Sequence, residues 1–219
     1  MAINPLSERV AAGEIIATDV SLEDYLEHYA ADFCEWVEGN IITMSPVYED
    51  HDALSFYLAL LLATFFELKP IGTVRHAPFV MRLAAFPTRR REPDLQAILN
   101  TNPGTLTPTY MDGPADICIE IVSPESVERD HGDKFAEYEK GGVPEYWIID
   151  AIHRDTRFYR LNDDGVYIRQ TEDADGNYRT PNLPGLVLHV PTLWQDDLPG
   201  PIAIGELVKA MLNNWDNPE

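Results

Sequence analysis

Cysteine is almost absent from this 219-residue chain, which carries only Cys34 and Cys118. Two thiols cannot build the disulfide framework of a small secreted scaffold, and the pattern suits a reducing, cytoplasmic setting. Cys118 falls in an apolar run, where a free thiol behaves as a small hydrophobe. Basic residues are scarce too: 16 Lys and Arg stand against 37 Asp and Glu, a formal net charge of −21. That balance favours solubility and speaks against a protein that coats nucleic acid non-specifically, because phosphate is normally met by a basic surface. The longest apolar run, Ala53 to Phe66, is short for a bilayer span and carries Ser55 and Thr64, so it reads as a buried core helix. The opening MAINPLSERV has no apolar signal core, and neither export nor a membrane partner is expected.

Several motif classes are missing as well. There is no GxxxxGK[ST], no GxGxxG behind a strand, no HExxH and no CxxC. Ser123-Pro124 follows a strand but makes no nucleophile elbow, which argues against a Ser-His hydrolase.

What the chain does have is a core: 45% hydrophobic and 10% aromatic residues are ample for packing. Ser21 with Asp24 three residues on opens a short helix, SLEDYLEHYA. FCEWVEGNIITMSP reads as a hairpin turning at Glu38-Gly39-Asn40, and a long helix starting near His51 ends at Lys69-Pro70. TVRHAPFVMRL, PDLQAIL, ADICIEIV and EYWIID are strand candidates. The last two flank an amphipathic helix capped by Gly141-Gly142, a crossover that makes them parallel. Arg157 to Gln170 forms a hairpin, TEDADGNYRTPNLPG a polar loop, LVLHV a last strand and IAIGELVKAMLNNW a terminal helix. No linker divides the chain. The expected fold is a single α/β domain with a mixed central β-sheet flanked by helices. It comprises an extension over 1–20, the domain proper over 21–195, and a segment over 196–219 whose helix packs on it.

Alternation along ADICIEIV puts Asp116, Cys118, Glu120 and Val122 on one face, and along PDLQAIL it groups Asp94, Gln96 and Ile98. If the two strands pair, Asp94 and Glu120 converge near one end of the sheet. Two ionised carboxylates held together repel unless a cation lies between them, and a hard divalent ion such as Mg²⁺ takes one or two carboxylates and several waters. The alternative is a structural ion pair from Glu120 to a neighbouring Arg or Lys. Helical spacing puts Val127, His131, Lys134 and Tyr138 on the sheet-facing side, with Glu128, Asp133, Glu137 and Glu139 toward solvent. Lys134 can then serve developing phosphate charge, or be a salt bridge to Glu120 or Asp133. Lys69 to Arg91 holds Lys69, Arg75, Arg82, Arg89, Arg90 and Arg91 without an acid. That run is either a phosphate-binding edge leading into Glu92-Pro93-Asp94 or a set of solvated surface side chains.

The order FCEWVEGNIITMSP, the DH at the helix start, EPDL, ADICIEIVSPES, RDHGDKFAEYEKGGVPEYWIID and the late LPGL resembles the Uma-type restriction endonuclease family, a branch of the PD-(D/E)XK nuclease fold. The resemblance covers Ser21 to Leu193. It implies a restriction-endonuclease-like mixed sheet and a metal-dependent phosphodiesterase, a DNA endonuclease using Mg²⁺ with Mn²⁺ as substitute. Because the body of the protein is acidic, nucleic-acid binding is expected to be weak, salt-sensitive or assisted by a homodimer or larger homo-oligomer that aligns two basic edges. Pro93-Asp94 is similar to the PD half of the signature and Glu120 stands at its second acid; Asp94 and Glu120 would hold metal. The lysine expected two residues later is replaced by Val122, and Lys134 resembles the displaced lysine of other branches. His51 falls where the fold often has a helical acid, as a ligand or proton carrier, or else as a helix cap. Glu38, in the hairpin turn, is a further candidate. The rival reading is a catalytically silent nucleic-acid- or protein-binding module that keeps the fold.

Overall fold

The computed structural model describes residues 14–30, 34–43, 48–123, 126–127 and 129–216. Most of the expected 1–20 extension, Phe33 and Met44-Ser45-Pro46 of the hairpin run, and Pro124, Glu125 and Glu128 after the apolar strand lie outside the described residues.

In chain order the first elements are β1 (Ile15–Ala17), α1 (Leu22–His28), β2 (Cys34–Val37), β3 (Asn40–Thr43) and α2 (Glu49–Leu68). The middle of the chain holds β4 (Gly72–His76), β5 (Val80–Arg82), β6 (Arg89–Arg90), β7 (Leu95–Leu99), β8 (Thr105–Leu106), β9 (Tyr110–Asp112) and β10 (Ile117–Val122). A π-helical turn (Arg129–Asp133) leads into α3 (Lys134–Gly141), followed by β11 (Glu145–Asp150), β12 (Asp155–Leu161), β13 (Tyr167–Gln170), β14 (Asn177–Tyr178), β15 (Leu188–His189) and α4 (Pro201–Asp216).

The central sheet has six strands in the order β13-β12-β11-β10-β7-β4. Its one parallel pair is β10 with β11, joined by the crossover through α3; every other pair in it is antiparallel. One face carries Ile117, Ile119, Ile121, Leu95, Ala97, Trp147 and Ile149 against α2, with Ile204 and Val208 of α4 completing that core. The opposite face carries Cys118, Val122, Tyr146 and Ile148 against Tyr138 of α3 and Met81, Leu83 and Met111. Helix α2 is long and apolar enough to cross a membrane by length and composition. Leu54, Tyr57, Leu58, Leu61, Leu62, Phe65 and Phe66 are instead buried in the protein core, as a core helix requires.

Local chemistry explains most boundaries. The Ser21 hydroxyl accepts the Asp24 N–H at 3.0 Å and so caps α1. The β2–β3 turn has Glu38 and Gly39 at φ 53° and 85°, the two-residue hairpin geometry that glycine tolerates without strain. Gly142 closes α3 at φ 79°, its N–H returning to Tyr138 and Glu139.

Four expectations are corrected. TVRHAPFVMRL is two strands in different sheets, because the chain turns at Ala77-Pro78, β4 pairing with β7 and β5 with β9. The segment before α3 is π-helical rather than a continuation of one α-helix. Ile15–Ala17, placed in the extension, is a strand paired with β3. The polar loop contains β14, and Tyr178 and Leu183 within it are buried.

Candidate active site

Register brings the two acids together. Antiparallel pairing matches Ile119 with Leu95, so the next position on each strand sets Glu120 beside Asp94. Asp94 accepts the Ile121 N–H at 2.7 Å and contacts His51 Nε2 at 3.2 Å, both through Oδ2. A carboxylate only accepts, so Nε2 is the protonated nitrogen and Nδ1 is left buried without a partner among the described residues. Glu120, 1% exposed, accepts the Tyr138 hydroxyl at 2.7 Å and pairs with Lys134 Nζ at 2.9 Å. Asp94, Glu120, Lys134 and His51 all line one open cleft of roughly 410 Å³ between α2 and the end of the sheet, with Asp130 and Arg129 on the same wall.

Lys134 is buried among acids: besides Glu120, its ammonium lies 3.3 Å from Asp130 and 3.8 Å from Glu35. Burial disfavours that charge, but the three carboxylates hold its pKa above the ordinary lysine range. Glu120 is the group left short of positive charge. Burial pushes its pKa up to about 8, Asp94 and Asp130 push the same way, and Lys134 opposes them. His51 is raised as well; burial works against protonation, and the bond and charge of Asp94 outweigh it.

A second layer sets Lys134. Arg91, 4% exposed, donates through Nε and Nη2 to Glu137 at 2.9 and 2.7 Å and through Nη1 to Glu35 at 2.7 Å. Burial alone would raise Glu35, yet Arg91, Lys134 and Arg129 bring its pKa to about 2. Next to it, Glu92 is fully buried, and burial, reinforced by the Glu35 charge, raises its pKa to about 8. The Tyr25 hydroxyl contacts both Glu92 Oε1 at 2.8 Å and the Cys34 carbonyl at 3.0 Å. A phenol has one hydrogen, so both bonds form together only when Glu92 is the protonated partner.

The arginine run is not a continuous edge. Arg91 is inside, held by Glu35 and Glu137. Arg89 bridges Glu38 and Glu137, and Arg90 donates to the Pro87 and Arg89 carbonyls and lies over Trp36. Arg75 is tied to Thr73 and Val74 beside Phe79. Arg82 lies over Tyr110, 3.8 Å from Asp112. Glu38 stands in its exposed turn paired to Arg89, away from the cleft. Glu137, expected at the surface, is 2% exposed because Arg91 draws it inward. His131, expected on the sheet-facing side, contacts Arg157 of β12 at 3.3 Å.

Sequence reasoning missed Glu35, Glu92, Asp130 and Arg129. Glu35 carried the signal that exposed Glu120, an acid between apolar strand neighbours (Cys34 and Trp36). Asp130 stands four residues before Lys134, an ion-pair spacing the sequence does show; Arg129, five residues before it, had no such signal. In a π turn, residues five apart return to nearly the same side, which is how Arg129 and Lys134 share a wall.

The donor set can be tested against a divalent ion. Asp94 and Glu120 are hard oxygen donors beside a cleft in which Glu120 and Asp130 share Lys134 while Asp94 pairs with His51. No group of three or more His, Cys, Asp or Glu with metal-ligand spacing occurs among the described residues. The site therefore fits an ion that takes one or two carboxylates and is otherwise hydrated, the habit of Mg²⁺, and does not fit an all-protein cage.

This mixed sheet with its single parallel crossover has the restriction-endonuclease-like architecture, with the carboxylate pair at the end of the sheet. The chain matches the Uma2 family model, described as "Putative restriction endonuclease", over residues 22–191, and it belongs to that family. Its fold is similar to the crystal structure of a "putative nuclease belonging to DUF820" from Anabaena variabilis ATCC 29413. That similarity has a TM-score of 0.66 at 17% identity, covering 80% of this chain and 97% of the other. No functionally curated protein matches the chain.

Proposed function

We propose that this protein is a divalent-metal-dependent phosphodiesterase that cleaves nucleic acid, with DNA as the substrate to test first. The observation that carries the reading is the convergence of Asp94 and Glu120, from two paired strands, with Lys134 Nζ 2.9 Å from Glu120 in one open cleft. Asp94 and Glu120 would hold Mg²⁺, or Mn²⁺ in its place, and the bound ion would supply positive charge to the phosphodiester undergoing attack. Lys134 keeps its proton and can donate to the negative oxygens that develop. His51, tethered through Nε2 to Asp94, can hold or release a proton at its unpartnered Nδ1. The large rate of such sites comes mostly from charge placed in advance, so loss of one member is costly.

The test is cleavage of labelled oligonucleotides by the wild type and by Asp94→Asn, Glu120→Gln and Lys134→Met, with Mg²⁺, Mn²⁺ or a chelator. Each variant should lose about a hundredfold or more in rate while staying folded, and the chelator should abolish cleavage. A second reading, the silent binding module, is favoured by one observation: both Glu120 oxygens are already engaged, by Tyr138 and Lys134. It would be preferred if the wild type neither cuts nor gains melting temperature with Mn²⁺.

A further inference from the structure

Resting on that reading, we infer that the cleft takes single-stranded rather than duplex nucleic acid, with Arg129 holding one phosphate and Phe56 stacking on a base. Three observations carry it. First, the cationic side chains that would track a duplex backbone are committed elsewhere: Arg89 and Arg91 to buried Glu137, and Arg75, Arg82 and Arg90 to local acceptors, a nearby acid and aromatic rings. Second, Arg129 is the contrasting case. It lines the cleft beside Lys134 and Glu120, makes no hydrogen bond or ion pair among the described residues, and its Nε is buried without a partner. An arginine in that condition is ready for a two-pronged phosphate contact. Third, Phe56 is 65% exposed although it lines the same cleft, one turn along α2 from Asp52. An exposed ring at the mouth of a site of this kind is suited to a base that is free of its partner strand, because stacking needs an open base face.

The acids bear on the same choice. Asp52 is exposed next to Phe56, and the chain as a whole carries a net charge of −21. Long duplexes present one charge per about 1.7 Å of axis, and an acidic body repels them along their length. A single strand threaded over one ring and one guanidinium brings far fewer phosphates near that body.

The experiment is fluorescence anisotropy in EDTA, so that binding is read without cleavage. The probes are a labelled 15-nucleotide DNA strand, its RNA equivalent, the same DNA as a duplex, and a strand with abasic sites. The wild type should bind the intact single strands at least tenfold more tightly than the duplex, with DNA and RNA arms reporting which sugar is preferred. Phe56→Ala should weaken binding of intact strands by about tenfold and leave the abasic strand unchanged. Arg129→Gln should weaken all strands and lower the slope of log affinity against log salt by roughly 0.7, the loss of one phosphate contact. Equal affinity for duplex and single strand, or unchanged binding in both variants, overturns the inference. Single-strand binding without cleavage in Mg²⁺ or Mn²⁺ would sink the phosphodiesterase reading and leave this one standing. Efficient duplex cleavage insensitive to Phe56→Ala would do the reverse.

Discussion

Glu120 is surrounded by more negative charge than Lys134 alone can balance, and that imbalance has a sign that can be measured. Its pKa in the folded protein is about 8, above the ordinary glutamate value of 4.5. Between those values the folded state binds the proton more tightly than the unfolded chain does, so stability is full below about pH 4.5 and is lost as pH rises through about 8. Raised His51 contributes in the same direction above its ordinary value of 6.5. Glu120→Gln mimics the protonated carboxyl and removes only the first contribution. In metal-free buffer the variant should melt close to the wild type at pH 5 and increasingly above it toward pH 9. Parallel melting curves across that range would show that Glu120 is ionised throughout and fully paired. At this scale the two acids were legible before the structure, because strand alternation and the PD spacing both pointed to Asp94 and Glu120. Glu92 was not, since its importance comes from Tyr25, 67 residues away, and Glu35 showed only as an acid between apolar neighbours, its partner Arg91 lying 56 residues on.

The elements that position the site were read less evenly. The hairpin, α2, β10, β11 and their parallel crossover follow from periodicity and turn residues. The π turn did not follow, because a single extra residue per turn leaves the apolar pattern of the helix almost intact. Glu145 shows a second kind of illegibility. It is fully buried at the start of β11 and accepts from Trp147 Nε1 at 2.7 Å, Asn182 Nδ2 at 2.8 Å, Tyr178 and Thr180. The donors from Tyr178, Thr180 and Asn182 pin a stretch whose composition reads as a free polar loop. Its tether is a carboxylate more than thirty residues earlier. Glu145→Ala strands these buried donors and should cost about 3 kcal/mol or more in urea unfolding, with new protease cleavage between 177 and 186. A loss under about 1 kcal/mol with unchanged protease resistance would mean that the segment is held by its apolar contacts alone.

Across the whole molecule the dominant fact is charge of one sign. With a net −21 on 219 residues, repulsion between surface carboxylates opposes compaction, while the buried pairs around Lys134 and Arg91 are shielded from salt. Raising NaCl from about 20 to 200 mM, which shortens the screening length severalfold, should therefore raise the melting temperature by a few degrees. A flat or falling response would place the balance of electrostatic stability in exposed pairs such as Arg157 with Asp155 and Arg179 with Asp173.

The chain of charges Glu38–Arg89–Glu137–Arg91–Glu35 clasps the β2–β3 hairpin to α3. The hairpin is thereby a working part of the lysine's housing, although it comes nearly a hundred residues earlier and belongs to a different sheet. Anyone trimming the protein to a minimal module, or splitting it into two complementing fragments, would have to keep the hairpin in play. Cut away after Thr43, Arg91 and Lys134 would each lose Glu35 as a buried counter-charge, and the remaining sheet would keep its shape around a lysine held only by Glu120 and Asp130.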